Sequence, residues 1–394
     1  MRDSRIKRKL SLYLVVLLLG FLLSSEFAIA QQRPEITKIC MEHITFGKDA
    51  SREAVITWRS SESNAEAYVR YWPDNSIEEV NISQAEYHDY RYARDLVYIY
   101  DARLTDLKPD TLYHYQIHCA GEESPRYNFY TAPEPGSNTG FTFAVLGDSR
   151  SNYGIFAQLM RIAYEDGARF AVFTGDMTDG GNQMEWDFWF AAAADTFPYL
   201  PFMPVHGNHE GMKQTYFDQF VLPDDEKSYS FDYGMTHWAT ILSVLSYVDV
   251  SREFLKEDLA ASEARWKFFV THNPFYASSP DFNPSEFPKD NFLDILEDYG
   301  VTMAFFGHVH TYERTYPLLA DEVVEEGKGI IYQITGGAGA PFYREPDEPE
   351  YFSASYITTN HVIICEIAKD AMKATVKSVN GSIIDEYVVY PRTK

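Results

Sequence analysis

Five short apolar segments, each ending in a cluster of polar residues, constrain the fold of this chain more than any other feature. The segments span residues 141–146, 170–174, 202–206, 266–271 and 301–306. Between the first two, Ile155, Leu159 and Ile162 recur at helical spacing before Gly167. Apolar strands that alternate with amphipathic helices indicate crossover connections, so we expect an α/β domain over residues 141–394.

The polar clusters combine Asp, Asn and His side chains. They are Gly147–Arg150, Gly175–Asp179, Gly207–Glu210, His272–Asn273 and Gly307–His310. Sites of open α/β sheets lie outside the carboxyl ends of the strands, so the five loops should converge. The glycines let the backbone turn sharply and approach a bound group. Oxygen and imidazole ligands without thiolate suit Fe, Zn or Mn. Their number exceeds the needs of one tetrahedral ion, which predicts two ions that share a carboxylate.

The N-terminal part of the chain has a different pattern, with short strands over residues 33–131. Tyr113, Tyr115, Ile117 and Cys119 alternate with more polar residues, which is typical of an antiparallel β-sandwich. The segment 107–113 resembles the tyrosine corner of such sandwiches. Residues 132–140, rich in Pro and Gly, are predicted to be a linker.

The first 30 residues predict export. Basic residues precede an apolar run over 10–23, and Ala28-Ile29-Ala30 provides a small-x-small cleavage signal. This is the plan of a secretory signal peptide, so the protein is expected to be secreted or periplasmic, with no stable membrane partner after cleavage. An uncleaved membrane anchor is the alternative.

Charge and cysteine content limit the partners. The chain has 34 Lys+Arg against 58 Asp+Glu, for a formal net charge of −24. This balance argues against binding to nucleic acid or to an anionic membrane surface. It still admits a small phosphorylated substrate if bound cations reverse the field locally. Cys40 and Cys119 fall in the same predicted domain and are candidates for a disulfide after export, the alternative being that the cysteines are small buried apolar residues.

The ordered set of motifs resembles the calcineurin-like metallophosphoesterase superfamily. The longer string at 307–314, Gly-His-Val-His-Thr-Tyr-Glu-Arg, is similar to purple acid phosphatases, as is the preceding fibronectin type III-like domain. The resemblance implies an N-terminal all-β sandwich followed by a layered α/β/β/α metallophosphoesterase domain. It also implies hydrolysis of phosphate monoesters by in-line attack of a metal-bound hydroxide.

The resemblance implies a role for each matching residue. Asp148 and His310 would hold the first metal, and Asp176 would bridge the two ions. The second metal would be held by Asn208, His272 and His308. His209 would protonate the leaving oxygen or stabilise charge in the transition state.

Two positions depart from the family pattern. Purple acid phosphatases have a Tyr three residues after the bridging Asp, where this chain has Asp179. Other members have a His two residues after the first Asp, where this chain has Arg150. Asp179 or water would supply the missing ligand, and Arg150 is expected to bind substrate oxygens, with a salt bridge as the alternative.

Two other functions remain open at this point. The first is a phosphodiesterase acting on small molecules. The second is a non-catalytic secreted binding protein with a degenerate metal site, favoured by the altered first-metal ligands. Outside the motifs, His237 is expected to be a core or interface residue, and the aromatic segment 186–190 a packed helix.

Overall fold

A computed structural model describes residues 33–392, with the exception of 64–65, 77, 93–94, 286 and 288. The expected signal peptide, residues 1–30, lies outside the described residues. Within the described part of the chain, no helix is both long and apolar enough to cross a membrane.

The N-terminal domain is a sandwich of two antiparallel sheets, as the alternating pattern predicts. Its strands are β1 (Cys40–Phe46), β2 (Ala54–Ser60), β3 (Ala67–Pro73), β4 (Asn81–Gln84), β5 (Glu86–Tyr92), β6 (Asp95–Leu104), β7 (Leu112–Cys119), β8 (Glu122–Glu123) and β9 (Tyr127–Tyr130). One sheet has the order β1-β2-β6-β5 and the other β4-β3-β7-β8, with β9 also paired to β7.

The buried face of β7 is the one that the sequence predicts. Tyr113, Tyr115, Ile117 and Cys119 are buried, and the residues between them are half-buried. The Tyr113 hydroxyl accepts a hydrogen bond from the Lys108 amide at 3.0 Å, which confirms the tyrosine corner. Of the two alternatives for Cys40 and Cys119, the structure shows free thiols and no disulfide between them. Cys119 is buried, and the half-buried Cys40 Sγ contacts the Arg59 carbonyl at 3.6 Å.

The C-terminal domain contains two mixed sheets. Its strands are β10 (Phe141–Leu146), β11 (Ala171–Phe173), β12 (Phe202–Pro204), β13 (Tyr229–Tyr233), β14 (Thr236–Thr240), β15 (Trp266–Val270), β16 (Met303–Phe306), β17 (Tyr312–Thr315), β18 (Leu318–Leu319), β19 (Glu322–Val323), β20 (Ile331–Thr335), β21 (Ser353–Ile357), β22 (His361–Ile367), β23 (Met372–Ser378) and β24 (Ile383–Val389). The first sheet has the order β12-β11-β10-β22-β23-β24 and the second β13-β14-β15-β16-β20-β17-β21, while β18 and β19 form a separate hairpin.

Helices cover the outer faces of the two sheets. They are α1 (Tyr153–Glu165), α2 (Gln183–Ala192), α3 (Gln214–Phe217), α4 (Val248–Ala261) and α5 (Leu293–Asp298), with 3₁₀ turns at Leu245–Tyr247 and Lys289–Asn291. Phe156 of α1 packs on Phe173 of β11, with ring centroids 5.6 Å apart. Between the sheets, Phe143 of β10 packs against Trp238 of β14 at 5.0 Å. The order of layers is therefore α/β/β/α.

Buried polar contacts join the sandwich to the C-terminal domain. The Arg59 guanidinium on β2 pairs with the Asp187 carboxylate on α2, and both side chains are at most 2% exposed. Arg59 also donates to the Gln219 side chain at 2.5 Å. On β1, the Thr45 hydroxyl donates to the Val221 carbonyl at 2.6 Å. These contacts fix the two domains to each other beside α2, the helix that follows the loop of Asp176.

Candidate metal centre

The loops that follow β10, β11 and β16 bring three donor groups together. One carboxylate oxygen each from Asp148 and Asp176 and one ring nitrogen of His310 all lie within 4.8 Å of one another. All three side chains are buried. Asp148 and Asp176 have left-handed backbone conformations, with φ of 60° and 56°. Such strain in residues with a Cβ is concentrated at functional sites, where it directs side chains toward a ligand.

A second group of donors lies beside the first. The Asn208 Oδ1 is 2.9 Å from His272 Nε2 and 2.9 Å from His308 Nδ1. The His272 Nε2 is also 3.4 Å from an oxygen of Asp176. The Asp176 carboxylate therefore borders both groups, which is the geometry required of a residue that bridges two ions.

Backbone carbonyls orient two of the imidazoles. His272 Nδ1 lies 2.8 Å from the Thr174 carbonyl, and His310 Nδ1 contacts the Pro341 carbonyl. A carbonyl only accepts, so each Nδ1 carries a proton and each neutral ring directs its Nε2 lone pair into the site. Asp148 is fixed by the His308 amide, which lies 3.0 Å from both of its carboxylate oxygens.

The donor set fits cations. In neutral His272 the Nε2 lone pair faces the Asn208 oxygen, another acceptor, so the contact is favourable only with a proton or a metal ion between them. Burial opposes the charged forms of His272 and Asp176, yet the negative charge of Asp176 raises the pKa of His272, and His272 lowers the pKa of Asp176. Nitrogen and oxygen ligands of this kind suit Fe, Zn or Mn.

The glycines that precede the ligands serve a more specific purpose than the sequence analysis assigned to them. A Cβ on Gly207 would lie 2.2 Å from the Asp176 Oδ1, and one on Gly307 would lie 2.4 Å from the Asp148 Oδ2. Each glycine makes room for the ligand side chain of a neighbouring loop. The sequence predicts an approach to a bound group, whereas the neighbour at both glycines is a carboxylate of the chain itself.

His209 lies at the edge of the two donor groups. Its amide donates to the Asp176 Oδ1 at 2.9 Å, and its Nδ1 lies 2.7 Å from the Asp179 carbonyl. The ring therefore directs Nε2 toward Asp176, whose Oδ2 is 3.8 Å away. With a side chain that is 29% exposed, His209 is accessible to a substrate.

Arg150 reaches into the first donor group. Its Nε lies 3.6 Å from the Asp176 Oδ2, one Nη lies 3.4 Å from His310 Nε2, and the other lies 3.6 Å from the Asp179 Oδ1. The buried Nε has no hydrogen-bond partner within the described residues. The Asp179 carboxylate accepts from the Ser151 hydroxyl at 2.7 Å and is 43% exposed, so it lies outside the buried group.

Sequence reasoning missed Glu210, the last residue of the Gly-Asn-His-Glu cluster. Its carboxylate is fully buried and accepts hydrogen bonds from three backbone amides, those of Asp176, Thr178 and Gly207, at 3.0–3.1 Å. Burial, followed by the charge of Asp176, raises the pKa of Glu210 to about 7. Glu210 thus joins the loop of Asp176 to the loop of Asn208. The sequence signal that could have identified Glu210 is its position as a charged residue directly after Asn208 and His209.

The last three residues of the motif at 307–314 anchor the loops around the site to neighbouring elements. Glu313 is buried and accepts from the Ser278 amide at 2.8 Å, which anchors the loop after His272. The Tyr312 hydroxyl and the Arg314 guanidinium both contact the Asp385 carboxylate on β24, at 2.6 and 3.1 Å. These residues connect the His308–His310 loop to the last strand of the first sheet.

The residues expected to lie outside the site do so. His237 on β14 lies between the Asp232 and Asp258 carboxylates, with nitrogen–oxygen distances of 2.8 and 2.7 Å. Trp186 and Trp189 are buried in α2, as the packed-helix interpretation predicts. His206 accepts from the Met212 amide at 3.0 Å and so supports the loop that carries Asn208 and His209.

Comparisons with known proteins agree with this geometry. A family described as "Calcineurin-like phosphoesterase" matches residues 141–312, and "Purple acid Phosphatase, N-terminal domain" matches residues 41–131. The Fe(3+)-Zn(2+) purple acid phosphatase 12 of Arabidopsis thaliana is 25% identical over 340 residues, which cover 77% of this chain and 68% of that protein. A phosphoenolpyruvate phosphatase of Allium cepa is 24% identical over 364 residues, covering 85% and 71% respectively.

A solved structure extends the match to the fold. The structure of a purple acid phosphatase from yellow lupin (Lupinus luteus) seeds superposes with a TM-score of 0.80 at 19% identity, covering 90% of this chain and 75% of the other. The two family matches lie in the same order as the two domains described above. Residues 141–312 therefore form a calcineurin-like phosphoesterase domain that follows a purple acid phosphatase N-terminal domain, and the protein is a metal-dependent phosphoric ester hydrolase.

Proposed function

We propose that this protein is an exported phosphatase that hydrolyses small phosphate monoesters at a dinuclear metal centre. The observation that carries the proposal is the position of Asp176, whose carboxylate borders two donor groups while His209 faces its other oxygen. The pattern of residues 1–30 supports export. The names of the plant relatives, which are phosphatases, favour monoesters.

Each donor group would hold one ion. Asp148, Asp176 and His310 would bind the first ion. Asn208, His272 and His308, again with Asp176, would bind the second ion. Fe, Zn and Mn all suit these ligands. Two such ions, when bound, supply charge neutralisation for the phosphoryl group and activate the attacking water.

His209 is the proposed proton donor to the leaving oxygen. The Asp179 carbonyl accepts only, so Nδ1 keeps its proton, and a second proton on Nε2 faces the site. His209 Nε2 lies 3.8 Å from the Asp176 Oδ2. A phosphate bound to ions held by Asp176 would therefore place its leaving oxygen within hydrogen-bond reach of Nε2. A positioned acid of this kind contributes about 10²–10⁴ in rate.

Arg150 is the proposed substrate-binding residue. Its Nε is buried without a hydrogen-bond partner among the described residues, and an unsatisfied guanidinium nitrogen at a phosphate site is a ready donor to a phosphate oxygen.

Small diesters are the alternative substrates, and the intact donor groups count against a non-catalytic binding protein. The formal net charge of −24 disfavours polymeric nucleic acids as substrates.

The experiment is a substrate panel with metal-reconstituted protein. Phosphotyrosine and phosphoenolpyruvate represent monoesters, and bis(p-nitrophenyl) phosphate represents diesters. We expect a higher kcat/KM for the monoesters, a loss of about 10²-fold or more in His209→Ala, and little change in His114→Ala, a histidine of the sandwich. A preference for the diester, or full activity in His209→Ala, would overturn the corresponding part of the proposal.

A further inference from the structure

The Arg150 guanidinium faces two of the three atoms that the first ion would use. One Nη lies 3.4 Å from His310 Nε2, and Nε lies 3.6 Å from the Asp176 Oδ2. The third member of the group, Asp148, faces His310 Nε2 at 3.5 Å. A positive side chain of the protein thus lies where a positive ion is expected.

The tautomer of His310 means that Arg150 and a metal ion cannot both bind its Nε2. Its Nδ1 proton is directed to the Pro341 carbonyl, so Nε2 has a lone pair and accepts from Arg150. One lone pair cannot accept from a guanidinium and bind a metal ion together. A metal–nitrogen bond is about 2.0–2.1 Å long, so an ion on Nε2 would meet the guanidinium at repulsive distance.

The second donor group is arranged differently. Asn208, His272 and His308 direct their donor atoms at one another, with 2.9 Å between the amide oxygen and each ring nitrogen. An ion that enters there displaces at most the ring protons that face the Asn208 oxygen, whereas an ion in the first group must displace an arginine side chain. The two positions therefore differ in what an ion must displace.

We propose that Arg150 competes with the first metal ion for Asp176 and His310, so that the first position binds its ion more weakly than the second. Entry of the ion releases the guanidinium, and the Asp179 carboxylate, 3.6 Å from the other Nη, keeps it at the edge of the site. The released guanidinium is then free to bind a phosphate oxygen. This inference rests on the proposed dinuclear function and assigns Arg150 a second role within it.

The test is a titration of metal-free protein with Mn²⁺, followed by calorimetry and by electron paramagnetic resonance. We expect two dissociation constants in the wild type that differ by about tenfold or more, because a unit charge a few ångströms from a bound cation weakens its binding strongly. Arg150→Met should tighten the weaker constant by about tenfold or more. The matched control is Arg161→Met, since Arg161 pairs with Asp195 on the exposed surface.

Two further variants keep the outcome interpretable. His310→Ala should remove the weaker phase and keep the tighter one, which assigns the weaker phase to the first position. Arg150→Gln repeats the test with a polar side chain in case Arg150→Met does not fold. The inference is overturned if both Arg150 variants keep the weaker constant within about threefold of the wild type, or if His310→Ala removes the tighter phase.

The failure of this inference differs from failure of the proposed function. Two ions bound with equal affinity by the wild type and by both Arg150 variants would refute competition and leave a dinuclear centre in place. Binding of no Mn²⁺ by wild type or variants would refute both.

Discussion

Replacing His237 by Gln should remove a stabilisation that depends on pH. The imidazole is buried on β14 between Asp232 of β13 and Asp258 of α4. Burial alone would lower its pKa, but hydrogen bonds and charge from the two carboxylates raise the pKa of His237 from 6.5 to about 9. Lys48 and Asp224 also line the cavity beside it. Burial opposes ionisation of Asp258, but His237, followed by Ser230 and Lys48, lowers the pKa of Asp258.

The sign and size of the stability difference between the wild type and His237→Gln follow from the linkage between protonation and folding. A group whose pKa is raised on folding stabilises the protein fully below its unfolded value, and the stabilisation is lost as the pH rises through the folded value. A rise from 6.5 to about 9 corresponds to about 3 kcal/mol, as an upper figure. The free energy of unfolding of the wild type should therefore exceed that of His237→Gln by about 3 kcal/mol near pH 6, and the difference should shrink as the pH approaches 10.

Urea unfolding at half-unit steps between pH 6 and pH 10 measures this difference. His361→Gln is the control, because burial lowers the pKa of His361 to about 4 and that ring stays neutral over the whole range. The stability loss of the control should be constant above about pH 7.5. Toward pH 6 it should become smaller, because His361 gains a proton only in the unfolded wild type, and this trend is opposite to the one expected for His237→Gln. A difference between wild type and His237→Gln that is constant within about 0.5 kcal/mol over this range would refute the reasoning.

Three further outcomes follow from the contacts described above. Asp187→Ala should lower the free energy of unfolding by about 3–5 kcal/mol in urea titrations, because it leaves Arg59 buried and unpaired; an equal loss in the double replacement with Arg59→Met would contradict this. Iron-loaded wild type should lack a phenolate–ferric absorption band, and Asp179→Tyr should introduce one, whereas a strong band in the wild type would refute the ligand assignment. Gly207→Ala should reduce bound metal, measured by elemental analysis, because its Cβ would lie 2.2 Å from a ligand carboxylate, whereas Gly154→Ala, with no atom nearer than 3.6 Å, should not.

Much of the fold could be predicted because its signals are local. The alternation in β7 reports one buried face, and that face is the buried one. The apolar run of β10 is predicted to the residue. In α1 the predicted stripe of Ile155, Leu159 and Ile162 locates the helix, but the buried face is centred on Phe156, Leu159 and Ala163, and the two isoleucines are half-buried. Gly167, with a φ of 81°, follows the end of the helix as expected.

The arrangement of the strands could not be predicted, because pairing partners far apart in the chain leave no local trace. β22 inserts beside β10, so that Phe143 pairs with Cys365 across more than 200 residues. For the same reason the role of Glu210 was missed, since its hydrogen bonds go to the amides of another loop. Arg150 was expected to face the substrate, and only three-dimensional placement shows it against His310 and Asp176.

The position of β22 and β24 has a consequence for the order in which this enzyme can assemble. β10, which presents Asp148, has β11 on one side and β22 on the other, and the loop of His308 and His310 is tied through Tyr312 to Asp385 on β24. Until residues 361–389 have been synthesised, β10 has an open edge that invites pairing with other chains. Pairings this distant in sequence also form slowly. We therefore expect metal to be acquired late, after the final hairpin has closed, and nascent chains to depend on protection from aggregation until then.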